Sequence, residues 1–154
     1  MLEAGNPFPN FSLQNQNGKT VSLGDFAGKW LVVYFYPKDD TPGCTKEACS
    51  LRDGWAKFRK KKIAVLGVSI DDEKSHKKFA DKFSLPFTLL ADTDKAIVKA
   101  YGVWGEKSMY GRKYMGTNRV TYLIDEKGKI ASVWPKVKPD GHAEEILEAL
   151  SGRP

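Results

Sequence analysis

The sequence predicts an α/β domain built on a central mixed β-sheet flanked by helices. Three observations predict it. Apolar runs rich in β-forming residues, at 30–36, 63–70 and 120–124, read as strands buried on both faces. Segments with apolar residues at helical spacing alternate with these runs, the mark of an α/β domain. The run at 120–124 is followed by a turn and a further β-forming segment. The sheet therefore closes in a hairpin and is mixed rather than wholly parallel.

The elements follow in order. Phe11-Ser12-Leu13-Gln14 and Thr20-Val21-Ser22-Leu23 alternate apolar and polar residues with period two. Asn17-Gly18 lies between them, so the chain opens with a β-hairpin extension. Asp25-Phe26-Ala27-Gly28 reads as a short capped helical turn. The strand at 30–36 is stopped by Pro37. Thr41-Pro42-Gly43-Cys44 opens a helix: Thr41 and Gly43 suit caps, and Pro42 suits a first turn. That helix carries Cys44, Ala48, Leu51, Trp55 and Phe58 at helical spacing and ends in Arg59-Lys60-Lys61-Lys62, where positive charge complements the helix dipole. After the strand at 63–70, Asp71-Asp72-Glu73 marks the start of a helix that carries Phe79 and Phe83 to Ser84, before Pro86. Phe87-Thr88-Leu89-Leu90 is a strand. Residues 92–101 form a helix capped by Gly102. Residues 103–118, with glycines at 105, 111 and 116, read as a loop. Strands at 120–124 and 130–134 flank the turn Glu126-Lys127-Gly128-Lys129, and a helix at 142–150 closes the chain. This order is similar to that of thioredoxin-like domains with insertions.

At 154 residues, 41% hydrophobic and 29% charged, the chain reads as one globular domain over 1–154. Its longest apolar run, 30–36, falls far short of the ~20 residues that cross a bilayer, so no membrane partner is expected. Met1-Leu2-Glu3-Ala4-Gly5 has neither a basic nor an apolar leader segment, and a cytoplasmic location is expected. The formal charge is +6. Its lysines are spread along the chain without interleaved aromatics, so they read as a solvated face rather than a nucleic-acid surface.

There are two cysteines and two histidines. A chain of this size needs no disulfide staple. A zinc site would need Cys44, Cys49, His76 and His142 together, and their spacing fits no standard module. Two readings remain: inert core thiols, or a reactive pair. Cys44 follows a buried strand and sits in the first turn of a helix, where unpaired N–H groups and the dipole favour a thiolate. It is a candidate nucleophile. Cys49 follows in a C-x4-C arrangement. In an intact helix the pair would be separated by ~7.5 Å of rise and about 140° of rotation, roughly 8.6 Å between Cα atoms. A disulfide spans at most ~7 Å. If the two pair, the helix must unwind at its first turn, which suits a transient disulfide better than a permanent one.

Pro37-Lys38-Asp39-Asp40-Thr41-Pro42-Gly43-Cys44 fits the P-x-x-x-T-x-x-C motif of the peroxiredoxins. The stretch from Tyr34 through Thr45-Lys46-Glu47-Ala48-Cys49 closely resembles the bacterioferritin comigratory protein (peroxiredoxin Q) subfamily. The likeness extends to Gly5-Asn6-Pro7-Phe8-Pro9-Asn10-Phe11, to Tyr101-Gly102-Val103-Trp104-Gly105-Glu106-Lys107, and to Arg119 with Tyr122-Leu123-Ile124-Asp125. Val120 departs from it: relatives often carry a small hydroxyl residue after the arginine.

Taken alone, Thr41 reads as a cap, Pro37 as a strand terminator, Glu47 as a first-turn acid and Arg119 as a surface arginine. The resemblance implies more. Cys44 would be the peroxidatic nucleophile and Cys49 the resolving cysteine, which together form an intramolecular disulfide. Thr41 would hydrogen-bond peroxide and thiolate, and Pro37 would shield the site. Arg119 would bind the thiolate and the developing hydroxide, with Glu47 orienting it. The implied substrates are hydrogen peroxide and organic hydroperoxides, and the implied reductant is thioredoxin or a similar dithiol. No metal or organic cofactor is implied, and a pair within one chain suits a monomer. A thiol–disulfide oxidoreductase would instead use Cys-x-x-Cys, which is absent. Asp39 and Asp40 are expected to point to solvent. Substrate choice is expected to depend on a pocket near Phe35, Trp104 and Met109.

Overall fold

The computed structural model describes residues 2–151. Nine strands and five helices follow one another: β1 Ser12–Asn15, β2 Thr20–Ser22, a 3-10 turn Leu23–Phe26, β3 Trp30–Phe35, α1 Pro42–Asp53, α2 Trp55–Lys60, β4 Ile63–Ser69, α3 Glu73–Phe83, β5 Thr88–Ala91, α4 Ala96–Ala100, β6 Trp104–Met109, β7 Arg112–Thr117, β8 Val120–Ile124, β9 Ile130–Trp134 and α5 His142–Ser151. Seven strands form one sheet in the order β2-β1-β5-β4-β3-β8-β9. β3, β4 and β5 run parallel, while β1, β2, β8 and β9 pair antiparallel. The sheet is thus mixed, and the N-terminal hairpin extends it through β5.

β3 lies between β4 and β8, and its side chains alternate between two cores. Val32 and Tyr34 join Ala48, Leu51, Phe58, Phe79 and Ile146 beneath α1, α2, α3 and α5. Leu31, Val33 and Phe35 join Phe8, Phe11, Val98 and Tyr101 on the other face, beneath α4 and the N-terminal segment. Burial on both faces explains why β3 reads as an unbroken apolar run rather than an alternating one. Each such buried side chain contributes ~1.5–3 kcal/mol of transfer free energy.

Four local expectations change. The helix predicted through residues 44–58 breaks at Gly54, where a Cβ would come within 3.0 Å of Ala143 Cβ on α5. The helix predicted over 92–101 covers only Ala96–Ala100. Asp92 stays outside it and caps it from a distance, accepting from Ile97 N at 3.2 Å and Val98 N at 2.8 Å. The predicted loop over 103–118 is instead a two-stranded hairpin, β6–β7. Its turn residues Tyr110 and Gly111 both have positive φ, 53° and 78°, as a mirror-image two-residue turn requires. β7 is exposed over its first four residues, so no apolar alternation announced it. Lastly, Asp39 is buried at 7% exposure, not solvent-facing. It accepts from Tyr36 Oη at 2.6 Å and Ser75 Oγ at 2.7 Å, and its Oδ2 lies 2.7 Å from His76 Nδ1. Asp40 is exposed as expected and accepts from Lys82 Nζ at 2.8 Å.

Candidate active site

β3 delivers the chain to the site. Tyr36 N still donates to Val68 O at 3.1 Å, and Pro37, lacking an N–H, ends the pairing. The segment 37–41 is pinned from below. Asp39 N donates to Asp71 Oδ2 at 2.9 Å, and Asp71 also accepts from Ser69 Oγ at 2.6 Å. The donor atoms of Asp39, Asp71 and His76 lie within 4.8 Å of one another, and these hydrogen bonds already engage them.

α1 begins at Pro42 with Thr41 as its N-cap, in extended conformation. Thr41 O accepts from Thr45 N at 2.8 Å. The Thr41 hydroxyl makes no cap bond and donates instead to Lys38 O at 2.8 Å, which leaves its lone pairs free for an external donor. Cys44 is the third helical residue, among the N–H groups that lack an intrahelical acceptor.

Arg119 arrives from the other side of β3. Val120 pairs with Phe35, so Arg119 stands one residue beyond that pair, level with the start of the 37–41 segment. Its Nη2 donates to Cys44 Sγ at 3.5 Å, and its Nη1 to Glu47 Oε1 at 2.8 Å. Gly43 makes room for it: a Cβ there would stand 3.0 Å from Nη2. Glu47 is fully buried. Burial pushes its carboxyl up to about 7, against the opposing pull of Arg119. Burial also works against the Arg119 charge, but Cys44 and Glu47 outweigh it and raise its pKa further.

Cys44 is more enclosed than an exposed nucleophile would be, at 1% exposure, and its residue neighbours include the core side chains beneath α1. It nevertheless lines a cavity of about 490 Å³ together with Pro37, Thr41, Ile70, Trp104 and Arg119. Tyr114, Met115 and Lys107 of the β6–β7 hairpin complete that wall. Of the three residues expected to shape it, Trp104 does. Phe35 belongs to the core on the other sheet face, and the Met109 side chain lies outside the described residues.

Five of the six candidate residues, Pro37, Thr41, Cys44, Glu47 and Arg119, are thus assembled at one place. Cys49 is not among them. It is partly exposed and lines a separate groove with Lys46, Ser50, Asp53 and Ala143, between α1 and α5. Both cysteines are free thiols on the unbroken α1. Sequence reasoning missed Lys107 as a lining residue, although it ends the resembling stretch from Tyr101. It also missed the anchor of Asp39 on His76, which only tertiary packing reveals.

A cysteine at a helix start, held by a guanidinium and open to a cavity, on a thioredoxin fold, defines a thiol peroxidase. The comparisons agree. Residues 4–133 match the AhpC/TSA family model. The chain is 50% identical over 149 residues to the putative peroxiredoxin bcp of Coxiella burnetii, covering 97% of this chain and 99% of that one. Among solved structures, Xylella fastidiosa PrxQ superposes with a TM-score of 0.93 at 36% identity, covering 99% of this chain and 97% of the other. The Xanthomonas campestris bacterioferritin comigratory protein superposes with a TM-score of 0.86 at 41% identity, covering 92% and 90%. The chain belongs to the AhpC/TSA family, alongside the peroxiredoxins Bcp and Q. Among the described residues, no helix is long and apolar enough to cross a membrane.

Proposed function

We propose that the chain reduces hydrogen peroxide and organic hydroperoxides through Cys44, that Cys49 resolves the product, and that thioredoxin or a similar dithiol recycles it. The observation that carries this reading is the Arg119 Nη2 contact with Cys44 Sγ at 3.5 Å, at the wall of a cavity. The cation stabilises the Cys44 thiolate and the negative charge that moves onto the departing oxygen. The Thr41 lone pairs accept from the hydroperoxide O–H, and Pro37 with Trp104 keeps bulk water off the reacting atoms.

The thiolate attacks the terminal peroxide oxygen. The S–O bond forms, the O–O bond breaks, and Cys44 becomes a sulfenic acid while the departing oxygen takes up a proton and leaves as water or alcohol. The first turn of α1 then unwinds. Cys49 attacks the Cys44 sulfur, water leaves, and an intramolecular disulfide remains. The external dithiol reduces it by exchange. Organic hydroperoxides are included because the X. campestris relative acts on alkyl peroxides and the cavity carries an apolar wall of Ile70, Trp104 and Met115.

Both cysteines belong to one chain, so the cycle needs no second subunit, and we propose a single-domain monomer. We place it in the cytoplasm, where the thiol pool keeps such a pair reduced between turnovers. The test is peroxide consumption in the presence of thioredoxin and its reductase, for wild type and Cys44→Ser. The substitution is expected to abolish consumption, and equal rates would overturn the reading.

A further inference from the structure

We propose that Lys107 is the proton donor to the oxygen that leaves when Cys44 attacks a hydroperoxide. The proposal rests on the peroxidase reading above and adds a residue to it. Lys107 lies on β6, partly buried, on the wall of the cavity that also holds Cys44, Thr41 and Arg119. Its stem crosses Gly116 of β7, where a Cβ would come within 2.9 Å of Lys107 Cδ. Its Nζ donates to Thr117 O at 2.8 Å, two residues before Arg119. One ammonium proton is used there, and two remain for a substrate.

The reaction creates a need that the other groups do not meet. Cleavage of the O–O bond leaves a hydroxide or alkoxide, a poor leaving group until it is protonated. Arg119 supplies charge, but a guanidinium does not give up its proton. The Thr41 hydroxyl proton is committed to Lys38 O. Lys38 and Tyr114 also line the cavity, but Lys38 is exposed and Tyr114 is 43% exposed. The ionisable groups around Lys107 are therefore Cys44, Arg119 and Tyr114, the cross-strand neighbour of Lys107, with Lys38 on another wall and Glu47 behind Arg119. Burial, then Arg119, holds the Lys107 ammonium below the usual lysine range, partly offset by Cys44, which makes its proton easier to transfer.

The step balances. The Cys44 thiolate gives its electron pair to the terminal oxygen and is oxidised to the sulfenic acid. The O–O bond breaks towards the other oxygen, which takes a proton from Lys107 and leaves as water or alcohol. The neutral amine recovers its proton from solvent.

The test is single-turnover oxidation of Cys44 in wild type, Lys107→Met and Lys107→Arg, with tert-butyl hydroperoxide and with peracetic acid. Butoxide needs a proton to leave, whereas acetate leaves without one. Both variants are expected to lose about 100-fold or more with tert-butyl hydroperoxide, the ordinary contribution of a general acid, and less than about threefold with peracetic acid. The basic limb of the wild-type pH profile with tert-butyl hydroperoxide should vanish in Lys107→Met. Parallel losses with both oxidants, no loss with either, or full rescue by arginine would overturn the proposal. Retained reaction with peracetic acid also shows that the variants fold. Failure of the underlying peroxidase reading looks different: wild-type Cys44 would react with neither oxidant.

Discussion

Cys44 and Cys49 share one unbroken helix and open on different cavities. Cys44 lies beside Arg119, while Cys49 faces the groove towards α5. Five helical positions place their Cα atoms roughly 8.6 Å apart, beyond disulfide reach. The folded helix therefore suits the reduced state, and any pairing must undo the turn that activates Cys44. In the cycle proposed above, peroxide chemistry at Cys44 and resolution by Cys49 would be separated by a local unfolding step.

Replacing the second cysteine should uncouple these halves. Cys49→Ser is expected to complete one turnover at an unchanged rate and then stall. With no partner thiol, the Cys44 sulfenic acid meets further peroxide and advances to sulfinic acid. Intact-mass spectrometry after excess peroxide should show the sulfinic form rising in the variant. Equal amounts in both proteins would contradict a resolving role.

Glu47 ties the site to global stability. Its carboxyl is pushed up to about 7 by burial, against a usual 4.5. The folded protein holds this proton in a range where the unfolded chain has released it. Stability from this group therefore declines as pH rises from about 4.5 to about 7, then levels off. A displacement of this size corresponds to about 3 kcal/mol. Glu47→Gln cannot titrate, so urea unfolding should show the variant gaining on wild type by about that amount across the window. A constant difference between the two proteins would contradict the assignment.

Gly43 is required by a neighbour rather than by its own backbone. An added Cβ would sit 3.0 Å from Arg119 Nη2, which must then shift by a few tenths of an ångström. Gly43→Ala should leave the melting temperature within a few degrees of wild type, since alanine suits a helix. Cys44 oxidation should slow by about tenfold, because small misplacements of a charged group are costly. An unchanged rate would show that the guanidinium position is not critical.

Asp39 is the keystone under the 37–41 segment. Asp39→Ala removes an acceptor shared by Tyr36 and Ser75 and strands the His76 ring beside an empty site. Leaving buried hydrogen-bonding groups without their partner costs about 1–3 kcal/mol. Chemical denaturation should register it, and a loss below about 1 kcal/mol would contradict the structural role.

The sheet was legible because both its faces are buried: β3, β4 and β8 carry apolar runs whose burial alone dictates strands. The site was legible because its pieces sit in a short motif around Cys44, with Arg119 placed by resemblance. The β6–β7 hairpin was not legible, because the first four residues of β7, Arg112 to Met115, are all exposed and leave no periodic apolar trace. Asp39 misled for a related reason: an acid next to another acid reads as solvated until Tyr36, Ser75 and His76 close around it. Lys107 escaped because its place on the wall of the Cys44 cavity depends on that unread hairpin.

If Arg119 makes the Cys44 sulfur a peroxide nucleophile, as proposed above, its removal must slow the attack itself. The direct measurement is the second-order rate of Cys44 oxidation by hydrogen peroxide, in a single turnover without reductant, for wild type and Arg119→Met. The expected loss is about 100-fold or more, the scale of removing one preorganised charge donor. Equal rates in the two proteins would contradict it.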